Sequence, residues 1–280
     1  MYYYILDPQN IPAAKFERLQ IELQGLIAEF KISGEIGRIT SLRNMSDLVE
    51  LAAQRGVKTL VACGNDDTFN HMLANIKGRD FTVGFVPFDE TSYLSKILGI
   101  DSVATAVKTI AARRIERMDL ARVGPTYFIG YLELGVVPQQ VQNLSWWSSL
   151  KSLANSSHPM KIKIDDSYTV EINCLGGLVA NTRLTSSKTA HIANPTDGFL
   201  DLLILEKLGR TDIIKYKTAI AEGRWEEVPH TTVIKCRKIE FLEPRGFHVT
   251  MFNRTVAKFP AIVEIIPQRL KIVVGKNRTF

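Results

Sequence analysis

Cysteine is scarce in this chain: Cys63, Cys174 and Cys236 are its only three, widely spaced and without a CxxC pair. That pattern offers no disulfide framework, and buried free thiols in a reducing cytoplasm explain it. Long apolar runs are missing as well. None approaches the ~20 residues needed to span a bilayer. The opening MYYYILDPQN has neither a basic leader nor a small-residue cleavage site, so it is not read as a signal peptide. No repeat, low-complexity tract or disordered linker is evident. Aspartate disappears from the last quarter, where none follows Asp212.

What is present suits a globular protein. With 280 residues, 45% hydrophobic and 23% charged, the chain can bury a large core and divides most naturally into two domains. The net charge of +6 is uneven, since Lys235 to Phe280 carries ten Lys and Arg against three Glu. Such a basic portion could meet anionic lipid, nucleotide phosphate or nucleic acid. Its charges alternate with apolar residues, as on the exposed face of strands. No nucleic-acid partner is expected, because no recognition motif or aromatic–basic stacking platform accompanies the charge.

The first part alternates strands and helices. YYYIL, EIGRIT, TLVAC and TVGFVPF read as strands. Between them, IPAAKFERLQIELQGLIAEF and SDLVELAAQRG have helical spacing, the latter with Ser46 as N-cap and Gly56 at its stop. Further helices are expected from about Thr68 to Ile76, over TSYLSKILGI, and from about Asp101 to Ile110. Strands separated by such helices predict a mostly parallel sheet covered on both faces. Near Met118 the grammar changes to many strands with short turns, which argues for an antiparallel sandwich or barrel. Two helix-like stretches interrupt it, NLSWWSSLKSLAN and GRTDIIKYKTAIAEG. The expected domains are therefore 1–118 (α/β) and 119–280 (β-rich).

One turn stands apart. In VACGNDDTFNHML a buried strand breaks into Gly64-Asn65-Asp66-Asp67-Thr68 before helical spacing resumes. A strand, a polar turn and a helix start commonly build a phosphate site, but such sites favour glycine and open backbone N–H groups. Here two aspartates sit side by side. Asp67 can be read either as a helix N-cap or as a ligand.

The order of motifs resembles the diacylglycerol kinase catalytic family, which includes bacterial lipid kinases and sphingosine kinases and is distantly related to NAD kinases and 6-phosphofructokinases. GNDDTFNHML lies on the family's GGDGT-leucine-asparagine motif, and VGFVPFDETSYLSKILGI on its strand-Pro-x-GTGND-helix stretch. YILDPQN, YFIGYLELGVV, LVANT, ANPTDGFLDLLIL and EIIPQRLKIVV resemble further family segments in the same order. The resemblance covers nearly the whole chain. It implies a Rossmann-like nucleotide domain with a parallel sheet, followed by an antiparallel β-sandwich domain. It also implies ATP-dependent phosphorylation of a lipid hydroxyl, such as that of diacylglycerol, with magnesium.

Carried over residue by residue, the resemblance assigns nucleotide binding to Gly64, Asn65, Asp66, Asp67 and Thr68, and to Asp89 and Glu90 of the second loop. Gly64, Asp66 and Thr68 keep the motif, whereas Asn65 and Asp67 replace glycines. In the second loop Asp89-Glu90-Thr91-Ser92-Tyr93 stands where the family has Gly-Thr-Gly-Asn-Asp. The cleft is expected to turn acidic, lined by Asp66, Thr68, Asp89 and Glu90. The metal stretch falls on Asn194, Asp197 and the Phe199 carbonyl, with one carboxylate lost; Asp197-Gly198 also reads as an ordinary turn. The family's general base falls on Phe252, within Phe252-Asn253-Arg254, and phenylalanine takes no proton. Glu243 is the nearest upstream substitute, while Glu264 lies too far into the last strand. These departures point to a ligand-binding or regulatory pseudoenzyme, with an active kinase of atypical site as the alternative. The expected partner is a nucleotide or lipid-like small molecule. A peripheral membrane contact through Trp146 and Trp147 competes with simple core packing of that pair.

Overall fold

The computed structural model describes residues 1–76, 78–90, 92–135, 157–182, 193–222, 224–252 and 254–280. The expected helix NLSWWSSLKSLAN, with Trp146 and Trp147, lies outside the described residues, as do Thr91 and Asn253. The chain forms two compact units, Met1–Met118 with Gln268–Phe280, and Asp119–Pro267.

The first unit alternates β1 (Tyr2–Leu6), α1 (Ala13–Glu29), β2 (Gly34–Arg38), α2 (Met45–Gln54), β3 (Thr59–Gly64), α3 (Asp66–Ile76), β4 (Thr82–Pro87), α4 (Tyr93–Ile97) and α5 (Val103–Ala112). The strands run parallel in the order β2-β1-β3-β4. β3 is buried at every position, the signature of a parallel strand covered on both faces. α1 buries Phe16, Leu23 and Ile27, which share one stripe at helical spacing. The cap of α2 is Asn44 rather than Ser46. Asn44 accepts the Asp47 N–H at 3.0 Å, and the Asp47 carboxylate accepts the Asn44 N–H at 3.0 Å. This reciprocal pair satisfies two backbone donors, which Ser46, one turn position too late, cannot do.

The second unit follows from β5 (Ile115–Val123) through β6 (Thr126–Phe128), β7 (Tyr131–Gly135), β8 (His158–Ile164), β9 (Tyr168–Ala180), β10 (Leu200–Glu206), α6 (Arg210–Ala221), β11 (Thr231–Cys236), β12 (Lys238–Glu243), β13 (His248–Met251), β14 (Arg254–Lys258) and β15 (Ala261–Val273). Its pairing is antiparallel: β14-β13-β7-β9-β8-β12-β15, with β10 on β9 and β11 on β10. In β10, Leu200, Leu202 and Ile204 enter one apolar core, while Leu203 and Leu205 enter another with Ile213, Ile220 and Trp225. The period-2 alternation thus serves two cores, and Leu202–Leu205 reads as an unbroken apolar run. This is the expected antiparallel sandwich-like domain after an α/β domain.

The end of the chain departs from the expected boundary. Residues 268–280 belong to the first unit, because β15 continues past Pro267 and pairs parallel with β4, Lys271 opposite Thr82 and Ile272 opposite Val83. Lys271 also pairs with Asp80 at 2.7 Å. The three cysteines are free and buried, and burial raises each thiol well above its ordinary range. Among the described residues no helix is long and apolar enough to cross a membrane.

Candidate nucleotide and metal loops

The turn after β3 sits at the carboxyl edge of the parallel sheet, where open α/β folds place their ligands. Leu6 lies opposite Cys63 and Gly64 opposite Pro87, so the ends of β1, β3 and β4 are neighbours. α3 begins at Asp66, two residues earlier than its spacing predicts, and its cap is Asn65, not Asp67. The Asn65 side chain accepts the Thr68 N–H at 2.9 Å, and Thr68 Oγ1 accepts the Asn65 N–H at 3.3 Å. Thr68 Oγ1 also lies 3.0 Å from both Asn65 Oδ1 and Asp7 Oδ2. Asp7 is buried, and its other oxygen accepts the Gln9 N–H at 3.0 Å. The reason for Gly64 is local: a Cβ there would meet Thr68 Oγ1 at 2.4 Å.

Asp66 turns away from the helix it starts and reaches the second loop. Its carboxylate accepts the Ser92 hydroxyl and, at 3.0 Å, the Tyr93 N–H. Ser92 in turn accepts the Ser95 N–H at 3.0 Å. Asp66 and Ser92 therefore cap α4 jointly. Burial pushes the Asp66 carboxyl up to about 6, against the bonds from Ser92, Tyr93 and Leu94, and the nearby Asp89 charge adds to the rise.

The remaining acids are arranged differently. Asp67 is half-buried in the first turn of α3, where a negative charge suits the helix dipole. Asp89 is half-buried and Glu90 is exposed. Glu90 forms a surface ion pair with Lys15 of α1 at 3.5 Å. Of the four acidic-cleft residues, Asp66 and Thr68 face inward to bonds within this unit and Glu90 faces solvent.

The metal stretch is a tight loop before β10. Asn194 Oδ1 accepts the Thr196 N–H at 3.0 Å and its hydroxyl at 2.8 Å. Asp197 Oδ1 accepts the Phe199 N–H at 3.0 Å, while Oδ2 accepts the Lys235 ammonium at 2.6 Å. Buried Asp119 anchors the loop through the Gly198 N–H at 2.7 Å, and its own N–H donates to the Pro195 carbonyl at 2.7 Å. These residues do not fit a hard dication. Of the residues assigned to the metal, Asp197 brings one carboxylate already engaged by an ammonium and Asn194 one engaged amide, short of the anionic oxygens such an ion prefers, while Asp119 is bonded to the loop backbone. Among the described residues no three His, Cys, Asp or Glu side chains converge on a metal position.

Phe252, onto which the resemblance carries the general base, has φ of 49° and packs against the core that contains Val249 and Met251. Glu243 is exposed at the end of β12, beside a cavity of about 300 Å³ that Lys161, Glu171 and Pro244 also line. Lys161 there is paired with Glu171 at 2.9 Å.

Three residues escaped the sequence reading. Asp7 and Ser92 are short polar residues near strand and helix ends, a common pattern with little information of its own. Glu133 carries a clearer signal, an acid in the middle of the apolar strand YLELG. It is buried on β7 opposite Thr250 of β13, whose hydroxyl lies 3.3 Å from the Glu133 carbonyl. Burial pushes its carboxyl up to about 7, with Thr250 opposing.

Known proteins match both units. The diacylglycerol kinase catalytic domain model matches residues 12–123, and the YegS C-terminal NAD kinase beta sandwich-like domain model matches residues 137–274. "Putative lipid kinase SH2167" of Staphylococcus haemolyticus (strain JCSC1435) is 23% identical over 245 residues, 75% of this chain and 74% of that protein. Among solved structures, "A putative diacylglycerol kinase from Bacillus anthracis str. Sterne" superposes with a TM-score of 0.80 at 15% identity, covering 99% of this chain and 98% of that one. A second structure, of a diacylglycerol kinase from the same organism, gives 0.78 at 14% identity, covering 99% and 98%. The likeness in fold spans the whole chain, and the two family models follow each other in the expected order. The chain belongs to the diacylglycerol kinase catalytic-domain family.

Proposed function

We propose that this protein is a lipid-kinase-family member that binds a nucleotide or lipid-like small molecule, or regulates through such binding, without transferring a phosphoryl group. It would work in the cytoplasm, at or near a membrane surface where a lipid ligand resides. The observation that carries the reading is the fate of four backbone N–H groups. Those of Asn65 and Thr68 are taken by each other's side chains, and those of Tyr93 and Ser95 by Asp66 and Ser92. A phosphate cradle needs such donors open and aimed at the ligand. The self-capped turns offer carboxylates instead, and a triphosphate near them is repelled by about 1–4 kcal/mol per charge at ~4 Å.

Phe252 supports the same reading, since a general base is worth about 10²–10⁴-fold in rate. Lys235 on Asp197 leaves magnesium without its carboxylate. Because these losses fall on separate parts of phosphoryl transfer, no single residue compensates for them. Incubation with radiolabelled ATP, magnesium and mixed lipid micelles containing diacylglycerol is expected to give no labelled lipid. Robust turnover that vanishes in Asp66→Ala overturns the reading.

A second reading, an active kinase with an atypical base, is favoured by Glu133 rather than by exposed Glu243. A buried carboxyl near 7, on a strand position opposite Thr250, which itself precedes Phe252 by two residues, is in the range that general bases occupy. It requires turnover that is lost in Glu133→Gln.

A further inference from the structure

Lys235 reaches the Asn194–Phe199 loop from a fixed position. It lies directly opposite Asp201 in the β10–β11 pairing, a register that continues from Leu200 with Cys236 to Leu205 with Thr231. From there its ammonium is 2.6 Å from Asp197 Oδ2 and 3.9 Å from Asp201 Oδ1. The loop backbone is tied to carboxylates as well, through the Phe199 N–H on Asp197 and the Gly198 N–H on Asp119. A second cation stands close by, the Arg237 guanidinium 5.1 Å from the Phe199 ring centre.

We propose that the Lys235 ammonium is the resident cation of this loop, occupying by charge and by contact the place a divalent ion would need. The second unit then takes no magnesium and does not depend on it to fold. This goes beyond the absence of phosphoryl transfer and does not rest on it, because the loop is read by stability and not by turnover.

The chemistry is a matter of lone pairs and charge. A hard dication takes six or more oxygen ligands and gives up its water only for anionic, open donors. Asn194 Oδ1 already accepts two bonds from Thr196, and both Asp197 oxygens already accept one each. A dication entering beside Asp197 would also meet the Lys235 ammonium at close range, a like-charge contact. Removing that ammonium leaves Asp197 and Asp201 facing one another with a place for a cation between the strands. The lysine thus decides whether the loop is metal-free or metal-binding.

Thermal unfolding of the full chain tests this, with millimolar magnesium or calcium chloride against EDTA. The wild-type Tm is expected to be the same in all three. Lys235→Met is expected to unfold at a lower temperature in EDTA and to gain about 2–4 °C on adding either dication, while Lys235→Arg stays indifferent. A wild-type Tm that rises saturably with magnesium overturns the proposal, and so does a Lys235→Met protein as metal-indifferent as wild type. If Lys235→Met does not fold, Lys235→Gln takes its place, and the wild-type arm decides independently. Loss or presence of kinase activity bears on neither outcome.

Discussion

The carboxylate of Asp66 accepts the N–H of Tyr93 at 3.0 Å across 27 residues of sequence, joining the first turn of α3 to the first turn of α4. A residue at the heart of a phosphate-loop motif thereby serves as the cap of a neighbouring helix. Ser92 completes the arrangement by donating to Asp66 and accepting from Ser95. Removing either partner leaves a partly buried donor without its acceptor. Asp66→Ala and Ser92→Ala are each expected to cost about 1–2 kcal/mol in urea unfolding. The double variant should cost clearly less than the sum, since both act on one network. Strict additivity would show that the contact does not couple the loops.

Gly64 is expected to tolerate no side chain. A Cβ would lie 2.4 Å from Thr68 Oγ1, and that oxygen is held by Asn65 and Asp7, so it has nowhere to move. Gly64→Ala should destabilise by about 1–3 kcal/mol, the usual cost of overpacking. Thr68→Ala removes the Oγ1 and Cγ2 contacts but leaves Cβ 2.9 Å from the added methyl, so in that background Gly64→Ala should cost less than in wild type without becoming neutral. Chemical denaturation of the three variants measures this.

Restoring the glycines should reopen the turn. Asn65→Gly frees the Thr68 N–H, and Asp67→Gly removes a charge beside it. A single charge near phosphate is worth about 1–4 kcal/mol, so the double variant should bind ATP at least about fivefold more tightly than wild type. Isothermal titration with ATP and magnesium reads both proteins. Micromolar binding by wild type would contradict the self-capped reading.

Glu133 should leave a mark on stability against pH. Its carboxyl rises from 4.5 to about 7 in the folded chain, so the folded state holds a proton that the unfolded state releases. Stability from this group is full below about 4.5, falls as pH rises to about 7, and is flat above. The fall amounts to roughly 3 kcal/mol at most. Glu133→Gln should flatten that segment of the profile, followed by urea midpoints at several pH values. An unchanged profile would mean that burial does not hold the proton.

Much of the molecule was legible beforehand. The alternation of strands and helices, the change near Met118 and the turn at residues 64–68 follow from apolar periodicity and punctuation, which are local properties. Caps were less legible. Asn44 and Asn65 displaced Ser46 and Asp67 because several short polar residues stand near each helix start. Which one bonds depends on backbone angles that composition does not reveal. The end of the second domain was placed too late for another reason: one strand, β15, serves two units in turn, and its apolar pattern does not change where it passes from one to the other.

The sequence by itself determined which residues stand where the resemblance places the family's glycines, first metal carboxylate and base, since those are matters of residue identity. Only the tertiary structure decided what the residues of these loops do. Asp66 spends its charge on Ser92 and Tyr93, Thr68 meets Asp7 across 61 residues, and Lys235 meets Asp197 across 38. A carboxylate in a sequence is equally a ligand, a cap or half of an ion pair. The partner that folding brings within about 3 Å selects among them, because hydrogen bonds and desolvation act only at that range.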